Sequence, residues 1–241
     1  MRIRHHNDFY QLTFLPYIFP INCYIYEEKS SLTLIDIGVK SFVKSIMKLS
    51  KELNKLITKV VITHPHQDHV AGLDAIVDEL GDIDVYISQR DSLLLKGDFS
   101  IYDKEENRKI RGGFSKVNTI PNKLVSDGDY IGSLRVISTS GHTPGSISLY
   151  NENTGSLFVD DLLQIRGGLA VAGDTRWSFP FPAMATWSIE KSIESTKKIA
   201  ELKISSLATG HGDVLTSPVN ELLKAISKAE KRLENEKKKN R

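Results

Sequence analysis

Residues 63–69 read Thr63-His64-Pro65-His66-Gln67-Asp68-His69, placing three imidazoles and a carboxylate within a few consecutive positions of a chain that holds seven histidines in 241 residues. The β-branched run Val60-Val61-Ile62-Thr63 leads directly into them. It has the form of a buried strand delivering ligands to a loop, a common way of building a metal site. Imidazole and carboxylate donors without thiolate suit Zn²⁺, Mn²⁺ or Fe²⁺ and do not suit a closed structural cysteine site. The single cysteine, Cys23, excludes an intrachain disulfide and reads as a small apolar residue in a strand.

Two further histidines lie at the ends of apolar runs and beside glycines: His142 in Ser140-Gly141-His142-Thr143-Pro144-Gly145, and His211 in Thr209-Gly210-His211-Gly212-Asp213. Glycines at such positions let the backbone turn and approach a buried site. A carboxylate joins them, because the apolar run Leu157-Phe158-Val159-Asp160-Asp161-Leu162-Leu163 is broken by two aspartates. A carboxylate aimed inward needs a cationic partner to offset its desolvation, and a metal ion is one. Alternation along a strand puts Asp160 and Asp161 on opposite faces, so only one is expected to reach a shared site. Singly, each histidine has an ordinary explanation as a hydrogen-bonded loop residue, and Asp161 as a cap. The combination shifts the balance. His5 and His6, near the N-terminus, are expected to be exposed.

His64-x-His66-x-Asp68-His69 followed by Gly72 resembles the signature of the metallo-β-lactamase superfamily. The His142, Asp161 and His211 segments resemble that family's later motifs in the same order, and the resemblance spans roughly residues 12–215. It implies a four-layer αββα sandwich with metals at one edge, between two sheets. It also implies that His64, His66 and His142 hold one metal, that Asp68, His69 and His211 hold a second, and that Asp161 bridges them. Two divalent ions, zinc above all with iron or manganese as alternatives, would then have open positions for water, the mark of a catalytic site. One departure stands out: the family usually has glycine where this chain has Asp160.

The elements that must position these residues are legible in outline. Residues 12–15, 22–26 and 31–38 read as an antiparallel meander. Val39, Phe42, Val43, Ile46, Leu49 and Leu53 recur at helical spacing through 39–54. A strand at 59–63, a helix at 71–80 and a strand at 84–87 follow, an α/β alternation typical of layered folds. Strands are expected again at 134–137, 146–150, 156–159 and 205–209, with helices at 187–202 and 219–235. Residues 96–123 read as an irregular or mobile surface insert, and 236–241 as a solvated basic tail. We expect one domain over residues 1–241, with a hint of two related halves.

Composition is that of an ordinary soluble globular chain: 40% hydrophobic, 26% charged, formal net charge +2. That balance gives no reason to expect a polyanionic partner, and no dense basic stripe interleaved with aromatics supports a ribonuclease-type reading. No long apolar window predicts a membrane span, and the N-terminus lacks a secretory h-region, so cytoplasmic location is the expectation.

The leading expectation is a metallohydrolase in which a metal-bridging hydroxide attacks an ester, lactone, thioester or phosphoester, with Asp68 both ligating and orienting the nucleophile. The alternative is a mononuclear iron dioxygenase acting on persulfides. A glyoxalase II-type enzyme would be expected to carry a helical C-terminal domain, for which too few residues follow His211. The substrate is expected to be a small molecule. The loop at 167–187 follows Asp161 closely, so it is a candidate pocket wall, with Arg166, Arg176 and Trp177 as candidate contacts to an anionic substrate.

Overall fold

A computed structural model describes residues 1–103 and 105–239. The first seven strands form one sheet in sequence order. Arg2–His6, Phe9–Phe14, Ile21–Glu27 and Leu32–Ile35 pair antiparallel, as successive strands on short turns can. Ile57–Val61, Asp84–Ser88 and Lys123–Val125 continue the sheet in parallel. Parallel neighbours need crossovers, and the helices Phe42–Leu53 and Leu73–Leu80 supply the first two.

The second sheet holds Tyr130–Ile131, Leu134–Ser138, Ile147–Tyr150 and Ser156–Phe158 as antiparallel neighbours. Ser206–Ala208 then joins Ser156–Phe158 in parallel, after a crossover through helix Ile189–Ala200, and Leu215–Thr216 closes the edge. Ser188 starts that crossover helix by accepting a hydrogen bond from the Lys191 amide at 3.1 Å.

The two sheets face each other across a core that includes Phe9, Tyr24, Val61, Leu149 and Phe158. Phe9 meets Phe158 edge-on at 4.8 Å between centroids. Behind the first sheet, Phe42, Ile46, Leu73 and Ile76 pack against Leu34 and Val60. Behind the second, Ile193 and Ile199 join Leu222, Ala225 and Ile226 of the C-terminal helix Val219–Lys239. The order is helix, sheet, sheet, helix, the αββα sandwich expected from the motif.

Differences from the expected elements are local. The strand Arg2–His6 and the helix Gln89–Leu95 were not anticipated. The Asp68-His69 segment is a helical turn, Gln67–Val70, not an open loop. The last helix runs on through Lys239, so the basic residues at 237–239 extend it rather than form a tail; Asn240, Arg241 and Lys104 lie outside the described residues. Among the described residues, 96–122 carries no helix or ladder strand, yet it does not lie idle on the surface. The Phe114 backbone bridges to His66, and the Gly113 carbonyl accepts from the Gln67 amide at 2.8 Å. Among the described residues no helix is long and apolar enough to cross a membrane.

Candidate metal centre

All seven expected residues meet at one edge of the sandwich. Four strands deliver them from their C-terminal ends: Ile57–Val61 leads to His64, Leu134–Ser138 to His142, Ser156–Phe158 to Asp161, and Ser206–Ala208 to His211. The last three run in the same direction in their sheet, which is why their downstream residues share an edge.

The inner nitrogens converge. His66 Nδ1 lies 3.0 Å from His64 Nε2 and 2.9 Å from His142 Nε2. Beside this trio, His211 Nε2 is 3.5 Å from Asp68 Oδ2, and His69 Nε2 is 3.8 Å from Asp68 Oδ1. Asp161 stands between the groups: its Oδ2 is 3.5 Å from His142 Nε2, 3.3 Å from His211 Nε2 and 3.8 Å from His69 Nε2. Each set of three ligand atoms is compact enough to hold one ion. Asp68 is the partly exposed member, and the others are buried.

Every imidazole has its outer nitrogen tied to an acceptor. His64 Nδ1 donates to Asp160, and His66 Nε2 donates to the Arg111 carbonyl at 2.9 Å. His69 Nδ1 faces Asp160 Oδ1 at 3.2 Å and Asp36 Oδ2 at 3.3 Å. His142 Nδ1 donates to Thr186 Oγ1 at 3.2 Å, and that hydroxyl donates onward to the Pro182 carbonyl at 2.7 Å. His211 Nδ1 donates to the Pro20 carbonyl at 2.6 Å. Acceptors outside keep the ring protons outside, so the inner lone pairs point at one another. Lone pairs this close, in a dry setting, call for a shared cation. The buried His69 Nε2 and Asp161 Oδ1 have no hydrogen-bond partner, as donors reserved for a metal would not. The residues present therefore fit a pair of divalent ions.

Electrostatics divide the rings by their neighbours. Burial, then the neighbouring His64, holds His66 down to about 3, and burial likewise keeps His142 neutral. Burial also works against a charged His211, but the Asp161 carboxylate outweighs it and pushes the imidazole up to about 9. Burial raises Asp160, yet the His69 and His64 rings outweigh that and hold it below the usual carboxylate range.

One expectation is corrected. Asp160 and Asp161 do not take opposite faces, because the chain leaves the extended conformation at Val159 and enters a 3₁₀ turn, Asp160–Leu162. Both carboxylates are buried in the same cluster, Asp161 toward the inner nitrogens and Asp160 toward the outer ones. Two glycines make room for this. A Cβ on Gly210 would sit 2.2 Å from Asp161 Oδ1, and one on Gly112 would sit 2.1 Å from His66 Nε2.

Sequence reasoning missed the outer partners. Asp36 breaks the apolar run Leu34-Ile35-Asp36-Ile37 as Asp161 breaks its own, so the same signal was available. Its carboxylate accepts from the Thr63 amide at 2.9 Å and hydroxyl at 2.7 Å. Asp91 gave no such signal. It is fully buried and holds the His142 loop by accepting from the Thr143 hydroxyl and from the Gly145 amide at 2.8 Å. His5 and His6 lie on the strand Arg2–His6, outside the cluster; His5 is exposed, and His6 is half-buried rather than exposed as expected.

A cavity of about 420 Å³ opens over the centre, walled by Phe19, Ile21, Val39, Phe181, Pro182 and Ala185 with Asp68, Asp161 and His211 at its floor. Phe181 and Pro182 bear out the loop as a wall. Arg166 and Arg176 do not line it: Arg166 donates to the Tyr17 carbonyl, and Arg176 to Asp174 at 2.8 Å. Trp177 points into solvent, 97% exposed. A larger groove of about 800 Å³ between helices Phe42–Leu53 and Leu73–Leu80 shares no residue with the cluster, so the chemistry lies in the smaller one.

With this geometry established, the comparisons are decisive. Residues 16–211 match the family described as the metallo-beta-lactamase superfamily. The chain belongs to that superfamily. YobT of Bacillus subtilis is 44% identical to it over 96% of this chain and 100% of its own length. The probable metallo-hydrolase YflN of the same organism is 26% identical, over 78% of each chain. A solved structure, TTHA1623 in a di-iron-bound form, superposes with a TM-score of 0.65 at 23% identity, over 87% of this chain and 96% of its own. This member of the metallo-β-lactamase superfamily is a hydrolase with a cluster able to hold metal.

Proposed function

We propose that the protein is a dinuclear metallohydrolase that cleaves an uncharged ester, lactone or thioester. The observation that carries this reading is the position of Asp161, whose Oδ2 lies within 3.3–3.8 Å of imidazoles from both trios. Two divalent cations held there would supply an activated water near neutral pH and positive charge for a developing oxyanion. His64, His66 and His142 would hold one, and Asp68, His69 and His211 the other. Imidazole and carboxylate donors favour zinc, with iron and manganese also accommodated.

The chain's own residues do the rest. Asp68, the most exposed carboxylate at the cavity floor, would accept a hydrogen bond from the attacking water and fix its direction. The aromatic and aliphatic wall excludes bulk water and holds the non-reacting part of the substrate. Among the described residues, no Lys or Arg lines the cavity. The wall thus offers no side-chain cation to an anionic group beyond the reacting centre, which favours substrates whose non-reacting part is uncharged.

The test is a panel of neutral lactones, acyl esters and thioesters alongside phosphodiesters and carboxylate-bearing β-lactams, with metal content measured on the same sample. Turnover of the neutral acyl compounds, with about two metals per chain, is the expected result. Oxygen consumption with a persulfide by a protein holding one iron would replace this reading with the dioxygenase one.

A further inference from the structure

We propose that Asp160 is a positioning residue that serves both metal positions at once through the outer nitrogens of their ligands. The inference rests on the dinuclear reading above and deepens it. Asp160 Oδ2 accepts from His64 Nδ1 and lies beside the Thr63 hydroxyl, which Asp36 shares, while Oδ1 lies 3.2 Å from His69 Nδ1. His64 belongs to one trio and His69 to the other. One buried side chain thus fixes a ring in each.

The backbone supports a specific role. Asp160 has φ +43, in the left-handed region where glycine is favoured and aspartate is among the tolerated exceptions. The family's usual glycine is explained by that conformation, and the carboxylate here is an addition to it. The carboxylate has no room to swing, because a Cβ on Gly210 would already lie 2.6 Å from its Oδ1. The donors and acceptors balance. The Thr63 amide, the Thr63 hydroxyl, His64 Nδ1–H and His69 Nδ1–H supply four protons, and Asp36 with Asp160 supplies four oxygens. Asp36 reaches only His69 of the two rings, so a single carboxylate joining outer nitrogens of both trios is supplied by Asp160.

Removing such an outer partner typically weakens metal binding by about 10- to 100-fold. Asp160→Gly suits the left-handed backbone and deletes the carboxylate alone. The measurement is zinc affinity and stoichiometry by competition with a chromophoric chelator, using metal-stripped full-length protein. Cobalt absorption bands give a second readout. Wild type should bind two zinc ions, Asp160→Gly should weaken both about 10-fold or more, and Asp160→Asn, with one acceptor for two rings, should fall between.

A purely structural role would lower the thermal midpoint of the metal-free variant and leave both zinc constants unchanged; that outcome overturns the proposal, as does weakening at one site alone. If Asp160→Gly loses its native circular dichroism, the isosteric Asp160→Asn decides by the same criterion. A wild type that takes up a single zinc overturns the dinuclear reading and the two-site role together. Two zinc ions of undiminished affinity in the variant overturn the Asp160 role alone.

Discussion

The floor and the wall of the cavity are built in opposite ways. On the floor, the outer nitrogens of five imidazoles are all held by acceptors, two of which, the carbonyls of Arg111 and Pro20, are backbone and therefore independent of side-chain identity. On the wall, Phe19, Phe179 and Phe181 touch one another at 4.9–5.4 Å, and Met184 and Trp177 beyond them stand largely in solvent. The floor is over-determined and the wall is held by few directional contacts. The chemistry of the site and its choice of substrate thus rest largely on different contacts, joined where Thr186 and the Pro182 carbonyl support His142 and where Phe179 meets His211 at 5.0 Å.

The sharpest way to break this contrast is to remove a floor ligand. His142→Ala or Asp161→Ala should cost more than about 10³-fold in kcat/KM, about 4 kcal/mol of transition-state stabilisation, with metal lost in parallel. Activity retained without metal would refute the division between floor and wall. Next comes support beneath the floor. Asp91→Ala strands the Thr143 hydroxyl and the Gly145 amide in a dry setting, at about 3 kcal/mol or a fall of roughly 6–12 °C in Tm.

The same residue gives a pH test. Burial pushes the Asp91 carboxyl up to about 6, against hydrogen bonds from Thr143 and Gly145 that lower it. Its folded pKa exceeds its unfolded one, so its contribution is present below about pH 4 and lost as pH rises through 6. Relative to the non-titrating Asp91→Asn, wild type should therefore lose about 2 kcal/mol of stability between pH 4 and 7. Urea unfolding at the two pH values measures it, and a pH-independent difference would contradict the burial assignment.

Wall substitutions should act more weakly and on a different parameter. Phe181 is half-exposed, so Phe181→Ala should raise KM by about 10-fold for long acyl substrates, from about 1.5 kcal/mol of lost apolar contact, with kcat unchanged. A fall in kcat instead would mean that the wall positions the reacting atoms. Smallest of all, Arg166→Ala should change kcat/KM by less than about twofold, since its guanidinium is engaged with the Tyr17 carbonyl outside the cavity.

That last contrast also shows what the sequence could and could not convey. The layered fold and all seven inward-facing residues were legible, because clustered histidines are rare and strand ends carry a pattern. Asp160 was misplaced because alternation holds only while a chain stays extended, and the turn at Val159 ends it. The carbonyls of Pro20 and Arg111 have no signature at all, since every residue has one. Arg166 and Arg176 looked available because they follow Asp161 closely, but their charges are satisfied elsewhere in space. The insert at 96–123 looked like surface because it lacks periodicity, while its backbone and the Phe114 ring carry its contact with His66.

The parallel pairing of Ser156–Phe158 with Ser206–Ala208 has a consequence for the order of assembly. These strands are joined by a long crossover, and such pairing closes late. A nascent chain displays His64, His66, Asp68 and His69 long before the strand bearing His211 has been made. An ion captured at that stage would meet an incomplete cage. Selection among ions would then wait until the strand bearing His211 docks, when geometry rather than first encounter decides which is kept.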